Sequence, residues 1–172
     1  MPDSEQRLIA DARRGSREAR GELFALHWRD AWRTARAVCG DDQRAQDIAQ
    51  EALVQAVSKL GRFDGRRPFG AWLRRIVVNQ AIDATRRDRR LIGLDAASDL
   101  AAEGFGDWEP GLASAVRALP ADRRALVALR YGLDLTPPEI AEAMGLQVGT
   151  VHSRLARALA ELRQRLEVTD VR

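Results

Sequence analysis

Apolar residues along this chain recur three and four positions apart, and nowhere alternate for long enough to suggest a strand. That spacing predicts an all-helical protein. It places helices at about Ser4–Gly15, Ser16–Cys39, Gln43–Leu60 and Pro68–Arg90, then at Gly111–Leu119 and Ala121–Tyr131, with two more starting near Thr136 and Val148. In the third helix Ile48, Ala52, Val54 or Gln55, and Val57 share an apolar face, while Asp47, Gln50 and Glu51 share another. In the last helix Val148, Val151, Leu155, Leu159, Leu162 and Leu166 form one apolar stripe.

The final two helices carry the clearest local signals. Thr136 and Glu139 have the capping-box spacing, and Pro137 falls at the first helical position, where its missing N–H is not needed. Ile140, Ala141 and Met144 face inward, Gly145 permits a left-handed turn, and Leu146 plugs the corner before the next helix. Helix, tight turn and helix is the arrangement of a DNA-binding helix-turn-helix. Opposite the apolar stripe of the second helix lie Gly149, Thr150, Ser153, Ala156 and Arg157, with His152 and Arg154 on the flanks. Small side chains allow close approach to base edges, and arginine pairs with guanine or phosphate. A merely solvated helix more often carries long Glu and Lys pairs, so groove recognition is the better of the two readings.

The periodicity weakens in the stretch LIGLDAASDLAAEGFGDWEPG, which reads as a linker with Trp108 pinning it to a surface. It divides the chain into residues 1–92, a linker of 93–112, and residues 113–172: two small helical domains. Charge supports the division. The net charge of the 172 residues is only +3, but Arg62–Arg90 carries nine basic residues against three acids, and Leu91–Leu112 carries five acids and no base. The basic block is a candidate phosphate-binding surface. Within it, Gly65 and Pro68 form a loop flanked by Phe63 and Phe69 that could hold an extruded base. Arg66, Arg67, Arg74 and Arg75 are placed to meet phosphates, and Asn79 to meet a base edge. Trp72, between apolar neighbours, fits the core somewhat better than a stacking platform. Arg86, Arg87, Arg89 and Arg90 read equally as backbone contacts or as a solvated basic helix end.

Composition removes other classes. One cysteine, Cys39, allows no internal disulfide and reads as a packed side chain, and two distant histidines assemble no zinc set. No signal peptide or membrane span is apparent, so no membrane insertion is expected and the cytoplasm is the default compartment. Asp42, Asp47 and Glu51 could be imagined as magnesium ligands of a hydrolase. Solvated acids explain them better, because no second carboxylate helix, phosphate-cradling glycine loop or activated nucleophile accompanies them. We therefore expect no enzyme and no cofactor. A stand-alone helix-turn-helix regulator remains the alternative, but it leaves the basic, aromatic loop unexplained.

Taken in order, DDQRAQDIAQEAL, RFDGRRPFGAWLRRIVVNQAIDATRRDRR and LPADRRALVALRYGLDLTPPEIAEAMGLQVGTVHSRLARAL resemble the sigma-70 family of RNA polymerase sigma factors. The resemblance is to the compact extracytoplasmic-function group, which keeps only the domains sigma-2 and sigma-4. It implies that Asp47, Gln50 and Glu51 dock on the clamp helices of the polymerase's largest subunit; without it, a solvated acidic face would be the simpler reading. It implies that Phe63, Asp64, Gly65, Arg66, Arg67, Phe69, Trp72, Arg74, Arg75, Asn79, Arg86 and Arg87 capture and melt the −10 element. It carries contact with the −35 element onto Thr150, His152, Ser153, Ala156 and Arg157, with Arg154 a flank or phosphate contact. The implied partners are core RNA polymerase, at its clamp helices and flap, promoter DNA, and an anti-sigma protein. Two positions depart from the family's pattern. His152 replaces the permanent charge of a usual lysine or arginine with an imidazole, and Gln147 replaces a helix-capping serine.

Overall fold

The computed structural model describes residues 2–92 and 108–170, and every regular element among them is helical. Most of the acidic linker, residues 93–107, lies outside the described residues. In the first half α1 spans Pro2–Arg13, α2 Arg17–Cys39, α3 Asp42–Ser58 and α4 Phe69–Ile92, with a single 3₁₀ turn at Leu60–Arg62. In the second, α5 spans Pro110–Ala118, α6 Ala121–Val127, α7 Pro137–Met144 and α8 Val148–Asp170.

The breaks follow from local chemistry. The Ser16 hydroxyl accepts the Ala19 N–H and starts α2, whose end is closed by Gly40 at φ +73° donating to the Arg36 carbonyl. Asp41 then caps α3 by accepting the Arg44 N–H at 2.7 Å. α1, α2, α3 and α4 bury Leu23, Ala35, Val38, Ala45, Ala49, Ala52, Leu53, Val77 and Val78. Alanine fills much of α3's buried stripe, which lets the backbones approach closely. Val54 corrects the expected apolar face. The buried stripe runs through Ala45, Ile48, Ala49, Ala52, Leu53 and Ala56, and Val54, turned about 100° from Leu53, is 59% exposed.

In the second half α6 runs directly into a π-helical turn, Ala128–Gly132, in place of the uninterrupted α-helix expected. Beside that turn Trp108 packs, near Gly132, as its expected pinning role requires. The capping box at α7 is present in both directions: the Glu139 carboxylate accepts the Thr136 N–H at 2.8 Å and its hydroxyl at 2.7 Å, and the Thr136 side chain accepts the backbone N–H of Glu139. Gly145 closes α7 at φ +66°, and the Leu146 N–H reaches the Ala141 carbonyl at 2.8 Å. On α8, Val151, Leu155, Ala158 and Leu162 are buried and Leu159 is half-buried. Val148 is a second correction: it is 39% exposed, because α8 reaches the core only from Val151 and its first turn projects beyond it.

The two halves share one continuous apolar cluster. α4 lies against α6 and α7, and α2 against α6 and the π turn.

Candidate nucleic-acid interface

The projecting first turns of α8 display their polar face. His152, Ser153, Arg154, Ala156 and Arg157 are exposed and Thr150 is half-buried. A Cβ added at Gly149 would meet nothing within 4 Å among the described residues, so this side of the helix is open to a close partner. The Ser153 hydroxyl donates to the Thr150 carbonyl at 3.1 Å, which holds it against its own helix in the free chain. Arg157 stands at the edge of a cleft shared with Arg123, Glu161 and Arg165. Both Arg123 and Arg165 donate to the Glu161 carboxylate; burial pushes that carboxyl up, but the two arginines outweigh it and hold it below its usual range.

The loop from Asp64 to Pro68 is fully exposed. It is built from its own chemistry: the Asp64 carboxylate accepts the Arg66 N–H at 3.0 Å, and Gly65 takes φ +73°. Pro68 then starts α4, its carbonyl accepting the N–H of Ala71 and Trp72. Phe63 and Phe69, expected to flank an open base pocket, are 5% and 1% exposed, which corrects that expectation. Their rings meet edge to face at 5.6 Å, and Trp72 tilts against both from a half-buried position. The aromatics anchor the two ends of the loop beneath its surface, because three large rings bury more apolar area against each other than each would against solvent. Beyond the loop, Arg75, Asn79 and Arg86 are exposed on α4 at near-helical repeats, and Arg87 is exposed beside them.

Several of these arginines already have partners, and most of those partners come from the second half. Arg67 donates to Glu142 of α7 at 3.1 Å. Arg86 donates to both oxygens of Asp122 of α6, at 2.7 and 2.9 Å, and lies 3.5 Å from Asp83. Arg89 donates to the carbonyls of Arg117 and Leu119 at the end of α5. Arg75 lies so close to the α7–α8 turn that a Cβ at Gly145 would stand 2.9 Å from its Nη2. Arg74 contributes favourably to the charge on Glu139. The sequence gives no sign of these pairings, since they depend on how the two halves meet.

Asp47, Gln50 and Glu51 are exposed on one side of α3, and Val54 extends the same side by one turn. Asp42 is drawn into a pair with Arg36. Among the described residues no group of three or more His, Cys, Asp or Glu side chains is placed to hold a metal ion. No helix among them is long and apolar enough to cross a membrane. Cys39 is half-buried, and burial pushes its thiol up, in keeping with a packed side chain.

Comparison with known proteins matches both halves. Residues 23–91 match the family model for sigma-70 region 2, and residues 111–162 the model for sigma-70 region 4. The RNA polymerase sigma factor CnrH of Cupriavidus metallidurans is 33% identical, with 93% of each chain covered. The RNA polymerase sigma-E factor of Streptomyces avermitilis is 36% identical over 81% of this chain and 80% of its own. Among solved structures, that of CnrH in complex with the cytosolic domain of CnrY is similar, with a TM-score of 0.65, 30% identity, and coverage of 95% of this chain and 97% of that one. The two matched regions, their order, and the helical architecture agree: the chain belongs to the sigma-70 family of RNA polymerase sigma factors, in its extracytoplasmic-function group.

Proposed function

We propose that residues 1–92 form the sigma-2 domain that docks on core RNA polymerase and captures the −10 element, that residues 93–112 link it, and that residues 113–172 form the sigma-4 domain that reads the −35 element. As a sigma factor the chain directs promoter-specific initiation and assists melting. The observation that carries the residue assignments is the projection of α8, whose exposed face from Thr150 to Arg157 is small and polar with arginine at its edges. Asp47, Gln50 and Glu51 meet the clamp helices, and sigma-4 meets the flap. Arg66, Arg67, Arg74, Arg75, Arg86 and Arg87 neutralise phosphates, and Asn79 reads a base edge. The protein acts in the cytoplasm by binding alone, without covalent chemistry. The cost of unstacking a base, on the order of a few kcal/mol, is offset by contacts to the base and backbone.

An anti-sigma protein is proposed as a further partner, because the similar solved chain is bound to the cytosolic domain of CnrY. For Arg67 and Arg86 to meet DNA they must give up Glu142 and Asp122, so promoter engagement requires sigma-2 and sigma-4 to part. In vitro transcription with core polymerase and a promoter library tests the reading. Sequence-specific initiation is expected; Arg157→Ala weakens dependence on the −35 element and Asn79→Ala impairs opening. Tight operator binding by the chain alone, with no initiation from any template, would favour the stand-alone regulator. Normal transcription by both variants would discard the residue assignments.

A further inference from the structure

α1 lies outside the stretch that matches region 2, yet it is built into the base of the exposed loop. The Arg13 guanidinium donates through Nε to the Leu60 carbonyl at 3.1 Å and through Nη2 to the Phe63 carbonyl, and it covers the Phe63 ring at 5.8 Å. These acceptors belong to the 3₁₀ turn and to the last residue before Asp64, so Arg13 fixes the peptide from which the loop springs. The far end of the loop is held through the same helix. Glu5 pairs with Nε2 of His27 at 2.7 Å, and the His27 ring packs on Phe69 at 4.9 Å. Arg20 of α2 donates to the Ala12 carbonyl at 3.2 Å and ties α1 in place.

We propose that α1 positions the −10 loop, and that Arg13 is a positioning residue for promoter opening. The inference rests on the assignment of Asp64–Pro68 as the loop that receives an unpaired base. An exposed loop pays the entropy of ordering when it binds unless its ends are already fixed, and Arg13 fixes the leading end at two carbonyls. A role limited to folding would need no particular geometry at the Phe63 carbonyl; a positioning role needs the two-donor fork of a guanidinium, which lysine lacks.

The test compares the full chain carrying Arg13→Met or Arg13→Lys in holoenzyme, on a duplex promoter and on the same promoter with its −10 region pre-melted. Binding of a single-stranded −10 oligonucleotide, affinity for core polymerase, and the thermal midpoint are measured alongside. Loss of two hydrogen bonds should lower open-complex formation on duplex and binding of the single strand by about tenfold for Arg13→Met. Arg13→Lys should recover part of that loss, with core affinity and −35 dependence unchanged for both. Normal opening by Arg13→Met overturns the proposal, as does an equal fall in core binding, −10 binding and −35 dependence together with the thermal midpoint. Asp64→Ala and Arg66→Ala separate the underlying assignment. If these leave opening unchanged, the loop is not the −10 reader; if they impair it while Arg13→Met does not, only the positioning role fails.

Discussion

Arg124 of α6 is only 7% exposed, and among the described residues its Nε finds no hydrogen-bond acceptor. It faces Cys39 and Arg89 of the first half as well as Arg117 of its own, and burial, reinforced by the two arginines, pulls its pKa down to about 10. A base with a lowered pKa is penalised in the folded chain. The penalty is fully present below about pH 10 and fades as pH rises above it, so at neutral pH it is constant. Arg124→Met, which keeps the apolar stem and removes the charge, should therefore stabilise the fold by roughly 1 to 3 kcal/mol at pH 7. Thermal denaturation at pH 7 and again above pH 10 checks this, with the gain shrinking at the higher pH. Nothing in the dipeptide Arg123–Arg124 separates these residues by eye. They point about 100° apart on α6, so one meets Glu161 at the surface and the other enters the seam.

At the scale of elements, what was legible is what short-range chemistry controls. Thr136, Glu139, Pro137 and Gly145 announce α7 and its turn because each acts on backbone groups within four residues. Thr136→Ala should cost about 1 kcal/mol, seen as a lower thermal midpoint and weaker −35 binding. The Thr136 hydroxyl and N–H hold the Glu139 carboxyl below its usual range, so this contribution is complete at neutral pH and is lost as pH falls through and below that range. Glu139 is exposed, so solvent screens its charge and only a part of the cap depends on it. The failures were of another kind. Val54 and Val148 are apolar residues whose exposure is decided by which neighbours arrive, and the π turn after Val127 has no local marker. Phe63 and Phe69 flank the loop as their positions in the sequence suggest, but their inward turn depends on Trp72 and His27, which reach them from α4 and α2.

Across the whole molecule the two halves meet through an apolar seam crossed by polar ties. A buried aliphatic side chain contributes about 1.5–3 kcal/mol, and an exposed ion pair about 1 kcal/mol or less, so the seam supplies the adhesion and the pairs set its register. Replacing Asp122 by Asn together with Glu142 by Gln removes the pairs to Arg86 and Arg67 while leaving the seam. The open population of the free chain should rise about fivefold, read by single-molecule energy transfer between α2 and α8, with initiation by the holoenzyme unchanged. The order of the two halves was visible in charge blocks and helix caps. Their embrace was not, because the same nine basic residues of Arg62–Arg90 suit a phosphate and a carboxylate alike.

Gly145 sits where these scales meet. The glycine that turns α7 into α8 also leaves the gap into which Arg75 of α4 extends. The corner between two helices of the second half is therefore closed over by an arginine of the first. Whatever enters between α4 and α7 must first lift Arg75 out of that corner.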